Sequence, residues 1–210
     1  MTAIALFGAT GRTGRRVLSR SLAQGYEVRA LVRNPAALTL TSPQLTVIRG
    51  DVLDQAAVEA TVTGAGSVLS LFGQVKGSSP TLQTDGTVVI VDAMKRRGLT
   101  RIVTLSGGGL AAPQDRQGTA DRVIRFLLKT TAGHVLADAE GHLVVLKSSG
   151  LEWTVVGGPR LTEKPGIGAY RVGWVGVNAS TQISRDDLAD FILTQVRDRT
   201  YVGEMPFVSA

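Results

Sequence analysis

Thr2-Ala-Ile-Ala-Leu-Phe7, Gly8-Ala-Thr-Gly11-Arg-Thr-Gly14 and Arg15-Arg-Val-Leu-Ser-Arg-Ser-Leu22 follow one another without a gap. The first segment is apolar and long enough for one buried strand, the second is a turn, and the third has the spacing of an amphipathic helix. Glycines at this spacing allow a tight turn and let backbone N–H groups approach a ligand closely. The helix behind them presents the positive end of its dipole. A chain with 25 glycines produces such triplets by chance, so the weight comes from the strand before and the helix after. That order suits a pyrophosphate, and a bound dinucleotide is expected here.

The next strand bears on which dinucleotide. Residues 27–33 alternate as a strand and Asn34-Pro35 ends it. Its last position lies about 20 residues past the glycine turn, where the adenosine ribose is read. A carboxylate there accepts from the ribose and repels a 2′-phosphate, whereas an arginine pairs with that phosphate. The residue is Arg33 and no acid follows before Asp51, so NADP(H) is expected over NAD(H).

Further strands are expected at 45–49, 66–73, 101–106 and 151–156, separated by helices. Asp54 is placed to cap a helix over 55–61. Ser79-Pro80 is placed to open another that runs to Arg97, with Gly86 packed closely inside it. Helical segments are also expected over 115–129 and 137–149. Ser184-x-x-Asp187 resembles a capping box that opens a last helix. Tyr170, Val172 and Trp174 alternate like a hairpin, and 205–208 reads as an edge strand because of Pro206. Alternating strands and helices imply one α/β domain over 1–210, a Rossmann-like doubly wound parallel sheet with helices on both faces. Elements around 107–135 and 158–182 fall on the substrate side. Ligands of such sheets lie at the carboxyl ends of the strands. That places Asp51 and Val52 against the adenine, Leu71, Phe72 and Gly73 along the cofactor, and Ser106 beside the nicotinamide.

Composition removes several classes of function. There is no cysteine, which excludes disulfides, thiolate nucleophiles and cysteine metal sites. His134 and His142 are the only histidines. With polar neighbours and no carboxylate at ligand spacing, they read as surface residues, and no metal site is expected. The net charge of +6 is dispersed, and 5% aromatics with no basic interleaving argues against nucleic acid. Arg12, Arg15, Arg16 and Arg20 surround the glycine turn and are expected to raise the potential around a phosphorylated ligand. No segment approaches the roughly 20 apolar residues of a membrane span, and no basic leader precedes the first strand. A cytoplasmic protein, monomer or homodimer, is expected.

Gly8-Ala-Thr-Gly-Arg-Thr-Gly14, Leu31-Val-Arg33, Gly50-Asp-Val52, Leu71-Phe-Gly73, Ala93-Met94 and Ser148-Ser-Gly-Leu151 together resemble the NAD(P)H-binding, atypical branch of the short-chain dehydrogenases/reductases. Within it the chain is most similar to the flavin reductase/biliverdin-IXβ reductase group, over roughly residues 3 to 195. The resemblance implies hydride transfer from NADPH to a flavin, tetrapyrrole or quinone-like acceptor. By position, Gly8, Thr10, Gly11, Thr13 and Gly14 would hold the pyrophosphate, Arg33 the 2′-phosphate, and Ser106 would orient the nicotinamide or acceptor. Two departures matter. None of Tyr26, Tyr170 and Tyr201 has a lysine four residues on, so the superfamily's Tyr-x-x-x-Lys proton dyad is missing. Where the flavin reductases carry a histidine after Pro-Pro, this chain has Gly158-Pro159-Arg160. Arg160 suits an anionic acceptor but not proton donation near pH 7, which disfavours tetrapyrrole reduction. Flavin or quinone reduction needs no dyad, because stacked rings and solvent protons suffice. The other reading is a protein that binds NADP(H) as a non-catalytic sensor.

Overall fold

Every side chain of β1 (Ala3–Phe7) is buried, because this strand has neighbours on both edges and helices over both faces. The computed structural model describes residues 3–75, 77–106, 109–116, 118 and 132–210. Around β1 lie β2 (Val28–Val32), β3 (Leu45–Arg49), β4 (Ala65–Ser70), β5 (Arg101–Leu105) and β6 (Glu152–Val156) in the order β3-β2-β1-β4-β5-β6, all parallel. The order reverses between β1 and β4, which opens a crevice at their carboxyl ends.

Alternate strand residues face opposite layers. Ile4, Leu6, Val28, Ala30 and Leu69 pack on Leu18 of α1 (Arg12–Ala23) and on Leu188 and Ile192 of α5 (Arg185–Thr194). Ala5, Phe7, Val68, Ile102 and Val155 face α2 (Gln55–Val62), α3 (Leu82–Arg96) and α4 (Gly133–Ser148) through Val58, Ile90, Met94 and Leu146.

Local signals place most boundaries. Asp54 caps α2, accepting from the amides of Ala56 and Ala57 at 3.0 and 3.2 Å. Ser184 caps α5 by accepting from Asp187 N at 2.9 Å. The Asp187 carboxylate accepts from the Ser184 hydroxyl and from the amides of Ile167 and Gly168, so it anchors the 166–168 loop. The β-branched run Val88–Val91 is helical, as its flanks suggest.

Four expectations are corrected. The first helix starts at Arg12, three residues before Arg15. Ser79-Pro80 does not open α3, which starts at Leu82 behind Thr81. No side chain of its own segment caps it; the Asp138 carboxylate on α4 accepts from Gln83 N and Thr84 N at 2.9 and 2.8 Å. The extended stretch β8 (Arg171–Gly173) pairs antiparallel with β10 (Phe207–Ser209), and the chain folds back just beyond it in a two-residue turn closed by an antiparallel bridge between Trp174 and Val177. A further short pair, β7 (Arg160–Thr162) with β9 (Gln182–Ser184), lies beside it. The C-terminal strand is no free edge, for Val208 and Ser209 are fully buried between β8 and the extension of β6. Val155 N donates to Glu204 O and Val208 N to Gly157 O, but Pro206 has no N–H for Val155 O, which breaks this pairing into isolated bridges. The helix expected over 115–129 lies mostly outside the described residues; Asp115 itself is in a turn.

His142 is the fourth correction. Residue 134 is exposed, but His142 is completely buried between α3 and β5. Its Nδ1 lies 2.7 Å from Thr87 Oγ1 and its Nε2 lies 3.1 Å from Thr104 Oγ1. Thr87 donates its only hydroxyl proton to Gln83 O at 2.6 Å, so it accepts from Nδ1–H, and Nε2 accepts from Thr104. A neutral imidazole satisfies both bonds. Burial pushes its pKa down to about 4, against a smaller opposing effect of the Asp138 charge one turn earlier. The unfolded chain therefore binds a proton between about pH 6.5 and 4 that the folded chain refuses, and stability falls as pH falls through that window. His142→Gln should remove this, flattening the wild-type loss of roughly 3 kcal/mol seen by denaturant unfolding at successive pH values. An unchanged slope would show that His142 takes up a proton without unfolding.

Candidate functional site

The glycine turn is backbone packed on backbone. Gly8 has φ +85°, and a Cβ on it would lie 2.7 Å from the carbonyl carbon and oxygen of Leu71. A Cβ on Gly14 would lie 2.0 Å from the carbonyl oxygen of Gly8. Only hydrogen fits at either place, so the turn runs tight under the first turn of α1. Gly11 is the N-cap of α1 with no side-chain cap bond, and the first turn holds no acid. The first N–H groups of α1 therefore have no side-chain cap and no acid beside them, as an incoming anion requires.

A cleft of about 290 Å³ opens there, lined by Gly8, Thr10 and Gly11 from the turn, Arg33 after β2, Asp51 and Val52 after β3, and Leu71, Phe72 and Gly73 after β4. Residues far apart in sequence meet because each sits at the carboxyl end of a neighbouring strand. Gly86 is packed closely, against Phe72 and Val52 rather than the sheet: a Cβ would lie 2.8 Å from Phe72 Cζ and 3.0 Å from the Val52 methyls. Arg33 is exposed and makes no hydrogen bond or ion pair among the described residues. Asp51, which lines the cleft, accepts from Leu53 N at 3.0 Å through Oδ1.

The other expected residues lie outside this lining. The Thr13 hydroxyl is buried and accepts from Arg185 Nη1 at 2.9 Å. Arg12 is exposed, with Nη1 3.4 Å from Glu163 Oε1. The expected field from the arginines is largely spent on pairing. Arg16 meets Asp186 and Glu163, both at 2.9 Å, and Arg20 meets Asp190 at 2.6 Å; Arg15 donates to the carbonyl of Ala37. These pairs join α1 to α5 and to the loop after β7. The hydrogen bond from Arg185, helped by the charges of Arg16 and Arg12, holds Glu163 below the usual carboxylate range.

Ser106 ends β5, buried, and its hydroxyl has no hydrogen-bond partner among the described residues. It faces a second, small cavity of about 20 Å³ with Leu110, Ala112, Val155, Val175, Met205 and Phe207. Asp115 joins two sides of this cavity, accepting from Ala112 N at 2.9 Å and Val175 N at 3.0 Å. Arg160 is exposed and lines neither cavity. Residues 107, 108, 117 and 119–131 of the expected substrate side lie outside the described residues. Neither Tyr170 nor Tyr201 is tuned for proton transfer. Burial, with the charges of Asp190 and Asp187, raises the Tyr170 phenol, and burial with Asp198 and Glu204 raises Tyr201, whereas a neutral-pH donor needs lowering. No group of three or more potential metal ligands occurs among the described residues.

Gln74, Val75 and Leu82 also line the cleft and were not foreseen. Nothing local marks them, apart from their place just beyond the fourth strand.

A family model described as NAD(P)H-binding matches residues 8–199. An uncharacterized protein of Mycobacterium tuberculosis is 36% identical over 105 residues, covering 50% of this chain and 12% of that protein. A short-chain dehydrogenase/reductase from Veillonella parvula in complex with NADP superposes with a TM-score of 0.79 at 18% identity, over 100% of this chain and 94% of that one. ChuY, an anaerobillin reductase from Escherichia coli O157:H7, superposes at 0.78 and 19% identity, over 99% and 97%. At these identities the superpositions establish the fold.

Gly14→Ala forces the turn open, since the Gly8 carbonyl cannot yield without moving the start of α1. The expected result is a loss of at least roughly tenfold in affinity for a nicotinamide dinucleotide, with a melting temperature lower by several degrees. Wild-type affinity by titration calorimetry would show that the turn relaxes freely.

Proposed function

The chain belongs to the NAD(P)H-binding family, and from that premise we propose that it is an NADPH-dependent reductase that passes a hydride to a flavin or quinone-like acceptor. Arg33 carries the choice of cofactor: an exposed guanidinium with no partner among the described residues, on a cleft whose only carboxylate, Asp51, already has one oxygen engaged. An adenosine 2′-phosphate would satisfy it bidentately. The uncapped start of α1 and the tight turn that Gly8 and Gly14 permit fit a pyrophosphate.

In this reading Gly8, Thr10, Gly11, Thr13 and Gly14 hold the pyrophosphate through backbone N–H groups, with Arg12 alongside. Asp51 and Val52 take the adenine, and Leu71, Phe72 and Gly73 form the wall along the cofactor. NADPH supplies the hydride when bound. The Ser106 hydroxyl, buried without a partner among the described residues, orients the nicotinamide carboxamide or the acceptor, and Arg160 draws an anionic acceptor group toward the same end. The proton comes from solvent, because no tyrosine has a lysine four residues on and burial raises the Tyr170 and Tyr201 phenols. Work in the cytoplasm as a monomer or homodimer belongs to this reading. Among the described residues no helix is long and apolar enough to cross a membrane.

The second reading, an NADP(H) sensor without turnover, is favoured by one observation. The cavity under Ser106 holds about one water, too little for a ring.

Purified protein with NADPH and FMN, riboflavin or a quinone, followed at the nicotinamide absorbance, separates the two. Turnover supports the reductase; NADPH binding with no turnover on any acceptor establishes the sensor. Arg33→Asp should weaken NADPH by roughly tenfold or more, the size of a lost charge-assisted bond, while leaving NADH within about twofold. Equal losses for both would show that Arg33 does not read the phosphate.

A further inference from the structure

The wall of the cleft beyond β4 is set from the other end of the domain. Asp138, 3% exposed, reaches from α4 to the segment that carries Gln74 and to the start of α3. Its Oδ2 accepts from Gln74 Nε2 at 2.8 Å and from Gln83 N at 2.9 Å, and its Oδ1 accepts from Thr84 N at 2.8 Å. Its backbone carbonyl accepts from Thr84 Oγ1 at 2.9 Å. Gly141, one turn on, makes this approach feasible, since a Cβ there would lie 2.5 Å from Thr84 Oγ1. Gln74 also donates to the carbonyl of Pro80. Gln74 and Leu82, the first residue of α3, both line the cleft.

Burial raises the Asp138 carboxyl, but the amides of Gln83 and Thr84 and the side chains of Gln74 and Thr84 outweigh it and hold the group below the usual carboxylate range. It is an anion at neutral pH, placed at the positive end of the α3 dipole. The start of α3 is thus filled by the protein's own carboxylate, while the start of α1 is left for a ligand's phosphate.

In this strand order the adenosine half of a dinucleotide lies over β2 and β3 and the nicotinamide half over β4 and β5. We propose that Asp138 is a positioning residue for the nicotinamide half: through Gln74 and the amides of α3 it fixes the wall beyond β4. The adenosine half rests on Arg33 and Asp51, which share no hydrogen bond with Asp138 or Gln74. The inference depends on the cofactor reading above, and it assigns to a residue remote from the glycine turn the rigidity that a bound ring needs.

The test measures affinities of the full chain for NADPH and for 2′,5′-ADP, which carries the adenosine half alone. Asp138→Asn keeps the shape but turns an acceptor into a donor facing an N–H. It should weaken NADPH about tenfold, one hydrogen bond's worth, and leave 2′,5′-ADP within about twofold. Gln74→Ala, at a half-buried site, should weaken NADPH about threefold, spare 2′,5′-ADP and leave the melting temperature unchanged. Equal losses for both ligands would make Asp138 a general structural residue, and undiminished NADPH affinity in both variants would overturn the inference outright. If Asp138→Asn does not fold, Gln74→Ala decides by the same criteria. A wild-type protein that binds neither ligand would fail the cofactor reading itself, and this inference with it. Wild-type binding of both with indifferent variants fails only the inference.

Discussion

The carbonyl of Gly8 lies beneath Gly14 with no room for a methyl group, and the α-carbon of Gly8 rests against the Leu71 carbonyl. Much else follows from this packing of backbone on backbone. It sets how α1 leaves β1, and it seats β4 next to β1 while β2 lies on the other side. A side chain at Gly8 or Gly14 would push these elements apart and remove the crevice. The turn ends at Gly11, on the lining of the cleft, where α1 begins without a side-chain cap. One steric constraint therefore supplies both the opening and, beside it, a helix start of the kind that suits an anion.

Charge is distributed to complement that opening. α2 starts on Asp54, α3 on Asp138 and α5 on Ser184, so each has its first N–H groups met by a side chain, whereas α1, like α4 behind Ala132, does not. The arginines near the turn are mostly committed to Glu163, Asp186 and Asp190, which clamp α1 to α5. What remains toward the cleft is selective rather than broadly positive. Among the described residues Arg33 has no partner, and Arg12 makes an exposed, longer contact to Glu163 of the kind that contributes little to stability.

The cleft could be read from the chain because its residues follow strand ends, and strand ends are marked locally. Apolar runs stop at Gly8, Arg33, Gly50 and Gly73, and a parallel sheet brings such stops to one side. Gln74 and Leu82 escaped because the wall continues into a segment with no strand pattern. His142 was misplaced on the surface because it sits among polar letters. Its burial depends on two threonines, Thr87 and Thr104, that are 55 and 38 residues away. Ser79-Pro80 misled for the same reason: the true cap of α3 is a carboxylate 55 residues from Gln83, and local grammar reads only nearby residues.

By itself the sequence determined the alternation of strands and helices, the glycine turn, and Arg33 in place of an acid, because hydrophobic period, turn chemistry and charge at a strand end are properties of neighbouring residues. The tertiary structure alone decided which polar groups pair across the domain. It turned the arginines of α1 toward α5, buried His142 between α3 and β5, and sent Asp138 to hold the start of α3. Those choices are made by distance in space, which the sheet order sets only once the chain has closed on itself.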